Sequence, residues 1–201
     1  MYLAAAGVGE IRIVDCDTVY PNNLNRQILH WDCDTGRLKI DSAREKLLKM
    51  NPTNEVGAVS EKIDENNVFE LVGDSDLIVD AMDNFHTRYL LNEVAIARNI
   101  PLFHGAVHGF DGQATTIIPG ETPCLRCIFP EEPPEGVFPI IGATCGVIAS
   151  IQVTEVLKYI TGTGTPTANK LLIWDGSNAT LNEIPPERDP GCIDCGGDRI
   201  G

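Results

Sequence analysis

No apolar run in this chain approaches the roughly 20 residues that a membrane-spanning helix needs. The Ala-rich start, MYLAAAGVGE, lacks a basic leader and meets Glu10 too soon for a secretory signal. Basic residues are few and scattered: 15 Lys and Arg stand against 29 Asp and Glu, for a formal net charge of −14. A nucleic-acid footprint requires a basic face, and none is formed. No GxGxxG occurs, which counts against a nicotinamide or flavin oxidoreductase. The four histidines show no metal spacing, and no internal repeat is visible. These absences leave a cytoplasmic protein with no membrane or nucleic-acid partner. Cysteine, by contrast, is present seven times. An odd count with paired CxxC spacing argues against a secreted disulfide framework and for a metal in a reducing compartment.

What is present is organised around residues 10–27, EIRIVDCDTVYPNNLNRQ. Ile11, Ile13 and Val14 read as a strand, and the glycines at 7 and 9 punctuate its approach. The strand ends in Asp15 and Asp17, and a polar loop then delivers Asn22, Asn23, Asn25 and Arg26. An acid at a strand's carboxyl end commonly takes ribose hydroxyls in doubly wound sheets. An arginine shortly beyond it meets phosphate oxygens through its planar fork. The plainer alternative is a helix cap and a surface ion pair.

Along the chain, residues 2–6 look like the tail of a helix stopped by Gly7. A helix over 36–50 carries Ile40, Ala43, Leu47 and Met50 on one stripe and ends at Asn51-Pro52. A short strand over 55–60 precedes a helix over 64–72 capped by Asp64. The DLIVD run at 76–80 reads as a buried parallel strand, followed by a helix over 85–99 and a strand over 101–105. This alternation predicts an α/β fold: a doubly wound, mostly parallel Rossmann-like sheet. A strand over 113–118 is expected at an antiparallel edge, and residues 122–139 read as a long loop. A helix over 145–161 has Val153, Val156, Leu157 and Ile160 on one face. Strands at 171–175 and 179–184 form a terminal antiparallel pair. The length suits one domain over 1–201.

The strongest local signal is the pair of hooks Cys124-Leu125-Arg126-Cys127 and Cys192-Ile193-Asp194-Cys195. Two such hooks complete a tetrahedral tetrathiolate zinc site, which stitches the tail to the loop after the sheet. A closed shell of this kind is structural. A redox dithiol fits less well, because neither CxxC opens a helix after a strand. Asp80 and Asp83, in DAMDN, lie at a strand's carboxyl end and are expected to face one crevice with Asp15. A carboxylate there suits magnesium, which takes one or two carboxylates plus nucleotide phosphates. Alternatively, Asp83 caps the helix that follows. Lys39, in the first turn of its helix, is placed for a phosphate; read alone, it is a solvated surface lysine. His104 reads first as a polar core residue.

Taken together and in order, DCDTVYPNNLNRQ, Lys39 within GRLKIDSAREKL, DAMDN, CLRC and CIDC resemble the ThiF/MoeB/HesA group. These are the bacterial and archaeal relatives of ubiquitin-activating enzymes. The resemblance implies Asp15 at the ribose of ATP, Arg26 with Asn23 at its phosphates, and Lys39 at phosphate as well. It implies magnesium on Asp83 with Asn84 beside it, and zinc on the four paired cysteines. It implies a homodimer whose partner is a ubiquitin-like sulfur carrier ending in Gly-Gly. The carrier's C-terminal carboxylate attacks the α-phosphorus of ATP, pyrophosphate leaves, and an acyl-adenylate forms.

The chain departs from that pattern twice. The family begins with a strand and a glycine-rich phosphate loop, and Met1 falls inside the helix after it. A start upstream of Met1, or a fragment, is therefore expected. Some members also carry a catalytic cysteine in the loop after the first zinc pair. Here that loop reads IFPEEPPEGVFPII and has none, while Cys145 follows at a helix start, where a thiol pKa falls. Cys145 also reads as a small packing residue. Two competing functions stand beside the activating enzyme. One is a non-catalytic, zinc-stabilised adaptor, separated by ATP binding; the other is an oxidoreductase, separated by cofactor absorbance.

Overall fold

Among the described residues the strands gather into two sheets, one of two strands and one of five. The computed structural model describes residues 1–132 and 138–197. Residues 133–137 of the expected loop and 198–201 of the tail lie outside the described residues. The chain divides into two compact units, Met1–Ile63 and Asp64–Gly201. Each has its own sheet.

The first unit opens with helix α1 (Tyr2–Ala5), after which Gly7 adopts a left-handed φ of 85°. Strand β1 (Glu10–Val14) leads through 3-10 turns at Pro21–Asn23 and Asp32–Asp34 to helix α2 (Lys39–Met50) and strand β2 (Glu55–Val59). The two strands pair in parallel, with Glu10 opposite Glu55 and Val14 opposite Val59. The helix begins at Lys39 and not at 36, because Gly36 has a φ of 86°, which an α-helix cannot contain. Ile40, Ala43 and Leu47 are buried as expected, but Met50, at the helix end, is 41% exposed. Ala4, Leu47 and Val56 form the core, with Ile11, Ile13 and Leu29 packed on it. The Asn51 and Asn54 side chains donate to the Ala4 carbonyl at 2.9 and 3.3 Å. The same carbonyl accepts the Gly7 N–H at 3.1 Å, so the asparagines tie an already capped helix end to the α2–β2 connection.

The second unit contains α3 (Val68–Val72), β3 (Ile78–Val79), α4 (Phe85–Arg98), β4 (Leu102–His108), β5 (Asp111–Ile117), α5 (Leu125–Ile128), α6 (Gly142–Thr161), β6 (Leu171–Asp175) and β7 (Thr180–Ile184). Sheet order is β3-β4-β5-β6-β7. β3 and β4 are parallel, and each later pair is antiparallel. Asp64 accepts from the Asn66 and Asn67 N–H groups, so it caps a turn ahead of α3, whose own N-cap residue is Asn67. β5 is the middle strand and not an edge, because β6 pairs along its free side. The expected 122–139 loop contains α5, and Leu125 is fully buried there.

The α6 helix corrects the periodicity reading. Its buried residues include Thr144, Ile148, Gln152, Glu155 and Val156, whereas Ile160 is 52% exposed. Glycines explain the choice of face. A Cβ on Gly105 of β4 would come within 2.5 Å of the Gln152 side chain, and one on Gly112 of β5 within 2.5 Å of Ile148. The close approach buries Gln152, whose amide donates to the Asp80 and Phe103 carbonyls at 2.8 and 2.9 Å. Buried polar groups must be paired, and this one is. No helix among the described residues is long and apolar enough to cross a membrane.

Candidate functional site

In the first unit, β1 ends at Val14 and hands the chain to Asp15 and Asp17. Asp15 Oδ1 accepts the Asp17 N–H at 2.8 Å, and the Asp17 carbonyl accepts the Lys39 N–H at 2.9 Å. These bonds dock the first turn of α2 on the loop beyond the strand. Lys39 Nζ then lies 2.7 Å from Asp17 Oδ2 and 3.7 Å from Asp15 Oδ2. Its side chain is 10% exposed, against 35% for Asp15 and 61% for Asp17. The lysine is therefore buried and ion-paired, not a solvated surface residue.

A cavity of about 250 Å³ opens beside this cluster. Ile11, Ile13, Leu29, Ile40 and other apolar side chains line it, and its polar members are Asp15, His30 and Lys39. Apolar walls with a few convergent polar groups are the usual make-up of a small-molecule site. His30 Nδ1 lies 2.9 Å from Ser42 Oγ. Burial, with help from the Lys46 charge, lowers the His30 pKa and keeps the ring neutral at pH 7. Arg26 is half-buried; its Nη1 donates to the Asn22 carbonyl at 3.0 Å and to Asn25 Oδ1 at 2.9 Å. Asn23 is buried, and its Oδ1 accepts the Tyr20 N–H at 3.0 Å, closing the 3-10 turn.

In the second unit, the two aspartates of DAMDN have different fates. Asp80 is 1% exposed and faces no crevice. Its Oδ2 lies 2.6 Å from His104 Nδ1 and 3.2 Å from Arg88 Nε, and its Oδ1 accepts the Met82 N–H at 2.9 Å. His104 is fully buried, as a polar core residue should be. Asp83 is exposed and accepts from the Asn84 amide at 3.3 Å. The cap of α4 is Asn84, which takes the Thr87 N–H at 2.8 Å. Asp83 is thus not the helix cap, and its carboxylate lies outside the ion pairs that occupy Asp80.

The four paired cysteines come together, with their sulfurs all within 4.8 Å of one another. Cys124 and Cys192 are 3.6 Å apart, Cys127 and Cys195 3.4 Å, and Cys124 and Cys127 3.8 Å. A tetrahedral zinc with bonds of about 2.3 Å separates its sulfurs by about 3.8 Å, so the donor set fits the ion. Cys124 does open a helix, as the N-cap residue of α5. Burial nonetheless pushes the Cys124 thiol up and Cys127 to about 11, the opposite of a reactive dithiol. Burial also acts upward on Cys192, but hydrogen bonds from the Cys195 and Asp194 N–H groups and from the Cys124 and Cys127 thiols together lower it. Cys145 lies in the first turn of α6 and is half-buried.

Sequence reasoning missed two supporting residues on α4. Asn92 is fully buried; its Oδ1 accepts the Leu125 N–H and its Nδ2 donates to Asp194, both at 2.8 Å, so it grips both cysteine hooks. Arg88 is 6% exposed. Helical spacing held the signal: 88, 92 and 95 share a face with Leu91, so a charge and an amide were on the inner stripe.

Fold and donor set define a Rossmann-like α/β protein with four thiols gathered at one point. The chain belongs to the ThiF family, whose model matches residues 1–194. It is 43% identical over 201 residues to the SAMP-activating enzyme E1 of Haloferax volcanii, covering 97% of this chain and 74% of that protein. It is 38% identical over 206 residues to the sulfur carrier protein adenylyltransferase of Thermus thermophilus, covering 97% and 76%. In fold it matches the crystal structure of E. coli MccB with a TM-score of 0.86 at 22% identity, covering 100% of this chain and 62% of that one.

Proposed function

We propose that this chain uses ATP to adenylate the C-terminal glycine of a ubiquitin-like sulfur carrier, serving thiamine, molybdopterin or related sulfur transfer. The observation that carries the reading is the 43% identity, across nearly the whole chain, to a protein named as a SAMP-activating enzyme. The lysine–carboxylate cluster and the cavity beside it support it.

In the first unit, Asp15 accepts the ribose hydroxyls and the apolar cavity wall takes the base. Lys39 exchanges Asp17 for a phosphate oxygen, a swap of one anion for another that keeps its charge paired. Arg26 adds a second cation at the phosphates, with Asn23 fixing the turn that carries it. In the second unit, Asp83 holds magnesium with Asn84 beside it. The ion prefers one or two carboxylates plus phosphate oxygens, and Asp83 is the exposed acid at this strand end. When bound, magnesium neutralises phosphate charge. The carrier's carboxylate oxygen forms a bond to the α-phosphorus, the bond to the bridging oxygen breaks, and pyrophosphate departs with that electron pair. Transfer at phosphorus needs positioning and charge neutralisation more than a covalent group from the protein. Zinc on the four cysteines is structural. We place the enzyme in the cytoplasm, as a homodimer.

The test is intact-mass analysis of a small ubiquitin-like protein ending in Gly-Gly after incubation with the chain, ATP and magnesium. The carrier should gain one adenylyl group, and should not do so with Asp83→Ala. A carrier that stays unmodified with the unaltered chain contradicts the reading.

A further inference from the structure

Residues 81–84, which carry Asp83, are held by two buried charges that the proposed reaction does not use. Asp80 Oδ1 accepts the Met82 N–H at 2.9 Å. Arg88 Nη2 donates to the Met82 carbonyl at 2.5 Å and to the Gly105 carbonyl at 3.4 Å. Arg88 and Asp80 also pair with each other: Nε lies 3.2 Å from Oδ2, with its N–H off the line of a hydrogen bond. His104 Nδ1 meets the same Oδ2 at 2.6 Å. The Arg88 guanidinium sits 5.0 Å from the Phe85 ring. Both peptide groups flanking Met82 are thus held by charged partners, and the second of them is shared with Asp83.

Stability alone does not account for this arrangement. A buried ion pair is costly to desolvate, and apolar side chains of equal volume often replace one without loss. What sets this pair apart is that both members reach the backbone of one residue in the short connection from β3 to α4. Charge-assisted bonds to that backbone are short and directional, and they fix the direction in which the next side chain leaves the chain.

We propose that Arg88 and Asp80 are positioning residues for Asp83: their clamp on Met82 aims its carboxylate and so sets the affinity for the divalent cation. The proposal rests on the reading of Asp83 as the magnesium-holding residue. It predicts that Arg88 affects cation binding without touching the cation.

The experiment follows Mn²⁺ binding in the presence of ATP, by loss of the free-ion paramagnetic resonance signal. It compares the unaltered chain with Asp83→Ala, Arg88→Met, Arg88→Lys and Asp80→Asn. Hydrogen exchange at the Met82 and Asp83 amides is read in parallel. Arg88→Met should weaken Mn²⁺ binding about tenfold or more, as loss of a partner that orients a metal ligand does. The affinity for ATP alone should not change. Arg88→Lys keeps the charge without the forked donors and should recover only part of the loss. Amide protection should fall in the same order. If Asp83→Ala weakens Mn²⁺ binding while Arg88→Met and Asp80→Asn do not, the clamp is overturned and the role of Asp83 stands. If Asp83→Ala has no effect, or the unaltered chain binds no Mn²⁺ with ATP, the metal reading fails and the clamp goes with it. Zinc content and melting curves check folding; should Arg88→Met not fold, Arg88→Lys and Asp80→Asn decide the matter.

Discussion

The cysteine cluster of the second unit and the lysine–carboxylate cluster of the first are built on opposite plans. Cys124, Cys192 and Cys195 are buried, Asn92 ties both hooks to α4, and the four sulfurs lie within 4.8 Å of one another. The four donors gather at one point. At the end of β1 the cation is buried and its partners are open: Lys39 is 10% exposed, whereas Asp17 is 61% exposed and beside a cavity-lining acid. An ion pair with one half in water exchanges partners at small cost, because solvent screens what is lost. One cluster is closed on itself; the other is half open to solvent.

That contrast breaks most readily at the cysteines. Cys192→Ser should abolish stoichiometric zinc, read by elemental analysis, and destabilise the second unit by more than about 4 kcal/mol, the range reached when a structural metal is lost. Retention of zinc with an unchanged melting curve would show that the thiols are only neighbours. Asn92→Ala leaves the four thiols in place and removes their common anchor. It should cost about 2–3 kcal/mol in denaturant unfolding, since the Leu125 N–H loses its partner and the Asp194 carboxylate keeps only its ion pair with Arg126. It should also speed zinc loss to a chelator.

At the lysine cluster the order of effects reverses, with ligand binding hit harder than folding. Lys39→Ala should weaken ATP by about 2 kcal/mol, roughly thirtyfold in Kd by calorimetry. Its melting temperature should stay close to that of the unaltered chain. A collapse of folding instead would make Lys39 a structural residue, and the contrast between the clusters would vanish.

The smallest effect concerns Asp34, a buried acid in the first unit that no proposed step uses. Burial opposes its ionisation, but hydrogen bonds from Lys46 and the Trp31 N–H win and hold its pKa at about 2, below the usual 3.8. Its folded pKa lies below the unfolded one, so its contribution is full above about pH 4 and is lost as pH falls toward 2. Melting temperature against pH should fall over that window, and Asp34→Asn should flatten that part of the slope.

Much of this was legible in the chain, and the failures share a cause. Strand ends, the CxxC hooks and the alternation of elements are local, and residues 10–14, 55–59 and 171–175 could be read from β-branched runs and punctuation. Asp15 and Lys39 were nameable because each sits at an element end. What failed depended on approach between elements. Apolar periodicity grouped Ile160 with Val156 on one face of α6; Val156 is buried and Ile160 is not, and Gly105 and Gly112 admit Gln152 and Ile148. The same non-local pairing put β5 in mid-sheet, hid Asp80 under Arg88 and His104, and made Asn92 the anchor of hooks far along the chain.

Carrier-dependent ATP–pyrophosphate exchange tests the central claim most directly, because it reports adenylate formation and its reversal without any downstream sulfur step. The account predicts exchange that requires a carrier ending in Gly-Gly and magnesium, and that Asp83→Ala abolishes. ATP binding with no exchange at any carrier concentration would contradict it and leave the chain a nucleotide-binding, zinc-stapled adaptor.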